Sequence, residues 1–504
     1  MASRERGCYL GAMQNGSLVT LTLYFVLMLA IGLYAWWRTA NTSEGFLLAG
    51  RDLSPAVTAL SAGASDMSGW LLLGLPGALY LTGLPAAWIA IGLVFGAWAN
   101  WVLVAPRLRA QSEARGNALT IPEFLANRFP ESALALRVTS AVVIVVFFAV
   151  YTASGLVGGG KLFETALAAL LPEGTGFTPY TLGIWITALV VLAYVALGGF
   201  LAVSLTDVVQ GAIMFVALVA MPLVVMFGPS GDGGASIAAV QVPGFLSLTQ
   251  GLTVLGIVSA VTWGLGYFGQ PHIVVRFMAI KRVEDMPVAR RIGMSWMVVC
   301  LLGAIGVGIA GRAYAQRNGV AVEDPETIFI ILAGLLFHPL ITGFLFAALL
   351  AAIMSTVSSQ LLVASSSLTE DFYRLFLRKE ASEREAVNAS RVFIALVSLA
   401  AVAIASDPDS QVLGLVAHAW AGFGAAFGPL MLLALMWDRM TGAGAVAGLV
   451  TGAAVVALWI ALGWDQALPG LDEGLYEIVP GFVAAWVAIV AVSRMSLPAR
   501  AEAA

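Results

Sequence analysis

Thirteen long apolar runs, nearly free of charge, restrict this chain more than any other feature. With a window of about 19 residues they start near residues 17, 53, 85, 133, 180, 201, 249, 288, 326, 386, 411, 442 and 475. A helix needs about 20 apolar residues to cross a bilayer, and the runs are of that order. The other spanning solution, a closed barrel, is written in alternating strands of about ten residues, and no such alternation is present. The expectation is an all-α integral membrane protein of about 13 transmembrane helices, one transmembrane domain over 1–504, with the lipid bilayer as its medium. Only 11% of the residues are charged, where soluble proteins carry about 25%, so an enzyme of soluble type is excluded. Cys8 and Cys300 are too few and too unlike in setting for a disulfide framework. The first run ends in Trp36, Trp37 and Arg38 rather than in a small-residue cleavage site, and is read as a helix that stays in the protein.

Orientation follows from the basic residues. With the N-terminus outside, the stretches 38–51, 107–137, 276–291, 374–391 and 494–500 together with Arg439 fall inside, and they hold 20 of the 25 Lys and Arg. That bias sets an N-out, C-cytoplasmic topology in the plasma (inner) membrane. Acidic loops with Asp232, Asp407, Asp465 and Glu473 land outside.

Two runs break the apolar pattern. Residues 60–70 place Ser61, Ser65, Asp66, Ser68 and Gly69 where the bilayer midplane should be, and residues 263–272 gather Gly264, Gly266, Gly269 and Pro271. Alone, either is a glycine or proline kink. They belong to the second and seventh runs, five spans apart, and so cross in opposite directions. Interrupted helices at matching places of two inverted halves point to a midplane binding site in a secondary transporter.

Within these breaks, Asp66 has two compatible roles, capping the half-helix after Met67 or helping to bind a cation, because a midplane charge costs about 3 kcal/mol or more. Unwinding over 64–67 frees carbonyls, which suit a hard cation. In the ninth run Ala352, Ser355, Thr356, Ser359, Val363 and Ser366 recur at the helical period; close helix packing explains such a stripe, as does a set of neutral oxygens for Na+ rather than Mg2+. Trp263, Tyr267 and Tyr151 are either interfacial anchors or the wall of a solute site, with a carboxylate held at the half-helix start around Ser68 and Gly69. The G-x-G-x-x-G patterns at 264–269 and 306–311 open no βαβ unit, and His272, His338 and His418 show no metal-ligand spacing. Nothing points to nucleic acid, an organic cofactor, ATP or an obligatory protein partner.

The stretches 58–76, 263–278 and 351–360, with Glu370-Asp371 and the run 419–429, identify the chain as resembling the sodium/solute symporter family, its proline-transporting branch in particular, from about 18 to 495. The resemblance implies a LeuT-type 5+5 inverted-repeat core: a leading helix and loop over 17–52, a first repeat over 53–228, a second over 249–437, and two trailing helices over 442–495. It implies inward transport of L-proline coupled to Na+ by alternating access, with no enzyme activity. It further implies a Na+ site at Ala64, Met67, Ala352, Ser355 and Thr356, substrate contacts at Ser68, Gly69, Tyr151, Trp263, Tyr267 and Pro271, and coupling or gating roles for Arg51, Asp66 and Asp207. The rivals are a Na+ symporter of a sugar or carboxylate, whose breaks should carry more Asn, Gln and Glu, and a channel or transport-like sensor; the sensor should carry a signalling domain, which a chain ending nine residues after Met495 is expected to lack.

Overall fold

The computed structural model describes residues 2–38, 43–168 and 178–496, with side chains from residue 16 onward. Among these residues every regular element is a helix, apart from one isolated bridge between Leu53 and Ile280. Ten helices are long and apolar enough to span a membrane, and shorter apolar helices run over Gly69–Thr82, Val254–Gly269 and Pro325–Leu336. The even series of thirteen runs is thus reshaped. The runs starting near 180 and 201 form one continuous stretch, Pro179–Phe227, that turns sharply at Gly199 (φ 57°, ψ −148°). The run starting near 326 is a separate short helix, Ile328–Leu336, and the spanning helix begins only at Pro339. Pro339 at its first turn and His338 in extended conformation make that start local and abrupt.

Large apolar side chains such as Leu23, Phe95, Val142, Leu189 and Val487 are exposed around the outside, as a molecule solvated by lipid requires. Inside, the helices Pro339–Ser366 and Val412–Met436 are buried nearly end to end. Both broken runs lie in this interior. Leu53 N donates to Ala279 O (3.2 Å) and Lys281 N to Leu53 O (3.0 Å), while the Lys281 ammonium meets Asp52 at 2.7 Å. The start of the first broken run therefore touches the end of the second, and the two run antiparallel.

Lys161 shows how a charge survives in such a core. Its ammonium, 4% exposed, lies 2.7 Å from Asp324 and 2.8 Å from Glu326. Glu326 also accepts from the backbone N–H groups of Val412 and Leu413 (both 2.9 Å), the orphan donors of that helix start. One acid thus joins the helices Ala133–Ala166 and Val412–Met436.

At Gly199 an added Cβ would sit 2.6 Å from the carbonyl oxygen of Phe46, on a backbone with positive φ. Gly199→Ala is expected to cost about 1–3 kcal/mol, read as a lowered thermal unfolding midpoint in detergent.

Candidate functional site

The first break is defined by two displaced hydrogen bonds. In a continuous helix each N–H bonds the carbonyl four residues back. Here Ser68 N donates to Asp66 O (2.9 Å) and Leu71 N to Ser68 O (3.0 Å), so the carbonyls of Ala64 and Met67 lose their helical donors. Met67 (ψ 73°) ends the helix Pro55–Asp66, and extended Ser68 opens the next half at Gly69. Ala352, Ser355 and Thr356 face the break from the helix Pro339–Ser366. Ser355 Oγ donates to Ala64 O (2.7 Å) and lies 3.1 Å from Ala352 O; Thr356 Oγ1 lies 3.3 Å from the same carbonyl. Four of the five expected cation ligands thus converge, and buried Met67 supplies a free carbonyl at the same turn. All are neutral oxygens, a donor set for a weakly held monovalent cation.

Asp66 does not cap the following half-helix as one expectation had it. Ser68 does so, accepting from Trp70 N at 3.5 Å. The Asp66 carboxylate instead accepts a short hydrogen bond from the Tyr267 hydroxyl, and its Oδ1 has no protein partner. Asn100 Oδ1, equally buried and unpartnered, lines the same narrow cavity as Asp66 and Tyr267. The carboxylate is therefore bound to the second broken run rather than to its own.

That second run is a helix to Val261, a 3-10 stretch over Thr262–Gly269, an extended Gln270 and a helix from Pro271. Its glycines allow close approach. A Cβ on Gly266 would strike the Trp420 ring, and one on Gly264 would lie 2.2 Å from the carbonyl of Gly92. Trp420 Nε1 donates to Trp263 O (2.7 Å), Gln270 Nε2 donates to Trp420 O (3.1 Å), and the Tyr267 and Trp420 rings meet edge to face at 5.0 Å. Trp263 stacks on Tyr476 at 5.1 Å. Tyr151 packs edge-on to His272 at 5.7 Å and comes near Ser68, its hydroxyl left without a well-formed partner. Gly69 faces Ile353, where a Cβ would stand 3.1 Å from Cγ1. Ser68, Tyr151, Tyr267 and Trp263 thus surround the two breaks, while Pro271 starts the second half-helix.

Asp207 and Arg51 lie outside this group. Asp207 Oδ2 accepts from Ser61 Oγ (2.6 Å) and pairs with Arg276 at 3.0 Å, both residues fully buried. Arg276 also donates to Ser61 (2.8 Å), to the hydroxyl of Ser359 and to the His272 carbonyl. Ser359 in turn donates to Ser355 O (2.7 Å), which connects the ion pair to the candidate cation ligands. The sequence places Arg276 in the basic stretch 276–291, but in the structure it is a core residue, paired with Asp207. Arg51 (φ 53°) donates to the carbonyls of Ala118 (2.6 Å) and Met278 (2.8 Å), where the broken runs meet.

Sequence reasoning assigned no site role to Trp420, Gln270, Arg276 or Tyr476. Only Gln270, beside the proline of a break, carried a usable signal.

The pattern that defines the sodium:solute symporter family matches residues 46–452. The high-affinity proline transporter PutP of Bacillus subtilis (strain 168) is 53% identical, covering 92% of this chain and 95% of its own length. The osmoregulated proline transporter OpuE of the same organism is 50% identical over 96% of both chains, and a sodium/proline symporter of Staphylococcus aureus (strain JH9) is 48% identical over 95% of this chain and 92% of its own. A solved Na+-coupled sialic acid symporter, outward-open and substrate-bound, superposes with a TM-score of 0.78 at 18% identity, covering 96% of this chain and 98% of that one. The expected LeuT-type architecture is therefore present.

Removing one member of a buried ion pair typically costs about 3–5 kcal/mol, more than replacing both. Arg276→Met is expected to lower the unfolding midpoint in detergent further than Asp207→Asn/Arg276→Met does. A double variant as unstable as the sum of its singles would mean that the two charges do not interact.

Proposed function

The chain belongs to the sodium:solute symporter family, and from that premise we propose that it couples inward movement of Na+ to uptake of L-proline by alternating access. The observation that carries this reading is the meeting of the freed Ala64 carbonyl with Ala352, Ser355 and Thr356 across the first break, in a chain half identical to proline transporters. Na+ takes the carbonyls of Ala64, Met67 and Ala352 and the hydroxyls of Ser355 and Thr356. The hydroxyl hydrogens now aimed at carbonyls then rotate away and their lone pairs turn inward. The ion thus ties the first broken run to the helix Pro339–Ser366 and holds the break open for substrate.

Proline needs donors for its carboxylate and a dry apolar wall for its ring. The unwound N–H groups around Ser68 and Gly69, at a positive half-helix end, suit the carboxylate. Tyr151, Trp263, Tyr267 and the turn at Pro271 suit the pyrrolidine. Aromatic and backbone groups dominate these breaks, which favours proline over a sugar. Asp66 bonds Tyr267 and so joins the cation side to the solute wall. Asp207 acts through Arg276 and Ser359 on the Ser355 turn, and Arg51 secures the junction of the two broken runs; these are the coupling and gating groups.

The antiparallel course of the broken runs supports two inverted repeats, 53–228 and 249–437. The basic loops support the end bearing Arg51 and Lys281 as cytoplasmic, with the N-terminus outside, in the plasma (inner) membrane. The reading needs no organic cofactor and no protein partner. One Na+ moving through about 100 mV supplies roughly 2.3 kcal/mol, and a tenfold gradient about 1.4 kcal/mol more. Together they support accumulation on the order of several hundredfold at one ion per proline. Coupling requires only that Na+ stabilise the substrate-competent arrangement more than the empty one.

Labelled proline uptake into liposomes under an imposed Na+ gradient tests the reading; uptake indifferent to Na+ overturns it. Ser355→Ala and Thr356→Ala are each expected to raise the half-saturating Na+ concentration by about tenfold, the loss of about 1.4 kcal/mol. Trp263→Ala is expected to weaken proline binding far more than Na+ binding, and equal losses would remove it from the solute wall.

A further inference from the structure

At the end of the molecule opposite Arg51, three residues distant in sequence meet. His418 belongs to the helix Val412–Met436, Asp465 to the loop after Gly442–Ala461, and Glu477 precedes Ile478–Ser496. One imidazole nitrogen and one oxygen from each carboxylate lie within 4.8 Å of one another. His418 Nδ1 is 2.8 Å from Glu477 Oε1. Glu477 is 1% exposed, and the buried Oδ1 of Asp465 has no hydrogen-bond partner. Among the described residues, neither carboxylate is paired with Lys or Arg. Two acids face one imidazole where Glu477 is buried and His418 and Asp465 are partly open to solvent, and the negative charge held at buried Glu477 is one that burial penalises. A divalent cation removes that penalty.

The donor set decides which cation. All-oxygen cages suit Ca2+ and Mg2+, whereas imidazole with carboxylates suits Zn2+ and neighbouring transition metals. Ligands bonded to zinc at about 2.0–2.2 Å stand closer together than 4.8 Å, a difference that side-chain rotation covers. We propose that His418, Asp465 and Glu477 form a site for a divalent transition-metal cation, represented by Zn2+, with water in the fourth position.

Such an ion would act on transport, a consequence that rests on the function proposed above. Tyr476, beside Glu477, stacks on Trp263 and donates its hydroxyl to the carbonyl of Ala417 (2.8 Å), the neighbour of His418. Its N–H bonds Ser259 Oγ (3.2 Å), and Glu473 accepts from Thr253 (2.5 Å). The loop, the start of the second broken run and the helix of Trp420 therefore meet at the metal ligands. Zinc pins them together and resists the movement that alternating access requires.

The test titrates the full chain in detergent with ZnCl2, read by competition with a chelating dye and by thermal unfolding. One equivalent is expected to bind and to raise the unfolding midpoint, while MgCl2 leaves it unchanged. His418→Gln and Asp465→Asn should each lose about tenfold or more in zinc affinity, with metal-free midpoints near that of the parent showing that they fold. No zinc binding by the parent, or parental affinity in both variants, overturns the site and leaves a plain His–Glu pair. In proteoliposomes, zinc on this face should slow Na+-driven proline uptake by the parent and not by His418→Gln. Stoichiometric binding with unaltered uptake upholds the site and overturns its action on transport. The binding measurement needs no transport, so failure of the symport reading is distinguishable from failure of the site.

Discussion

In hydrocarbon every peptide N–H and C=O must find a partner inside the protein, and this requirement shapes the molecule around its two breaks. Where the first run unwinds, Ser355 donates to the Ala64 carbonyl and the Trp70 indole donates to Asp66 O (3.3 Å). Where the second run tightens and then opens, Trp420 donates to Trp263 O and Gln270 to Trp420 O. Ser355 and Trp420, which satisfy one exposed carbonyl in each break, belong to the helices Pro339–Ser366 and Val412–Met436. That requirement gives a physical reason for these two helices to be the most deeply buried.

The same arrangement makes the site responsive. Ser355 and Thr356 are held by the carbonyls of Ala64 and Ala352, so in the proposed cation site an ion would exchange hydrogen bonds for coordination without exposing new polar groups. The exchange need not stay local. Ser359 donates to the Ser355 carbonyl and accepts from Arg276, which holds Asp207 and Ser61. A shift of the Ser355 turn therefore bears on a buried charge pair between the second broken run and the helix of Asp207, to which Ser61 of the first broken run is also bonded. Tyr267 and Asp66 bridge the two broken runs in the same way.

Two of the buried charges in this interior are answered by opposite charge close by. Lys161 meets two carboxylates toward one end, and Arg276 meets Asp207 toward the end where the broken runs join. Each cluster ties three or more helices that are far apart in sequence. Side chains this costly to bury fix which helices can neighbour one another, and they mark where a rearrangement must begin or end.

The membrane-spanning helical class, the two broken runs and the small hydroxyl stripe were legible in the sequence, because length, hydropathy and the 3.6-residue period are properties of the chain itself. The helical period and the break pointed to the stripe of Ser355 and Thr356 and to the carbonyls over 64–67 as candidate cation ligands, and the family resemblance narrowed them to five residues. What the chain alone did not reveal depends on distant partners. Arg276 looks like a loop cation until Asp207 is set opposite it, and Asp66 looks like a cap until Tyr267 reaches it from the other broken run. Trp420, Tyr476 and the meeting of His418 with Asp465 and Glu477 carried no local signal of their contacts. Local periodicity reports which face of a helix is apolar, but only the packing of helices separated by hundreds of residues decides what a buried polar atom finds there.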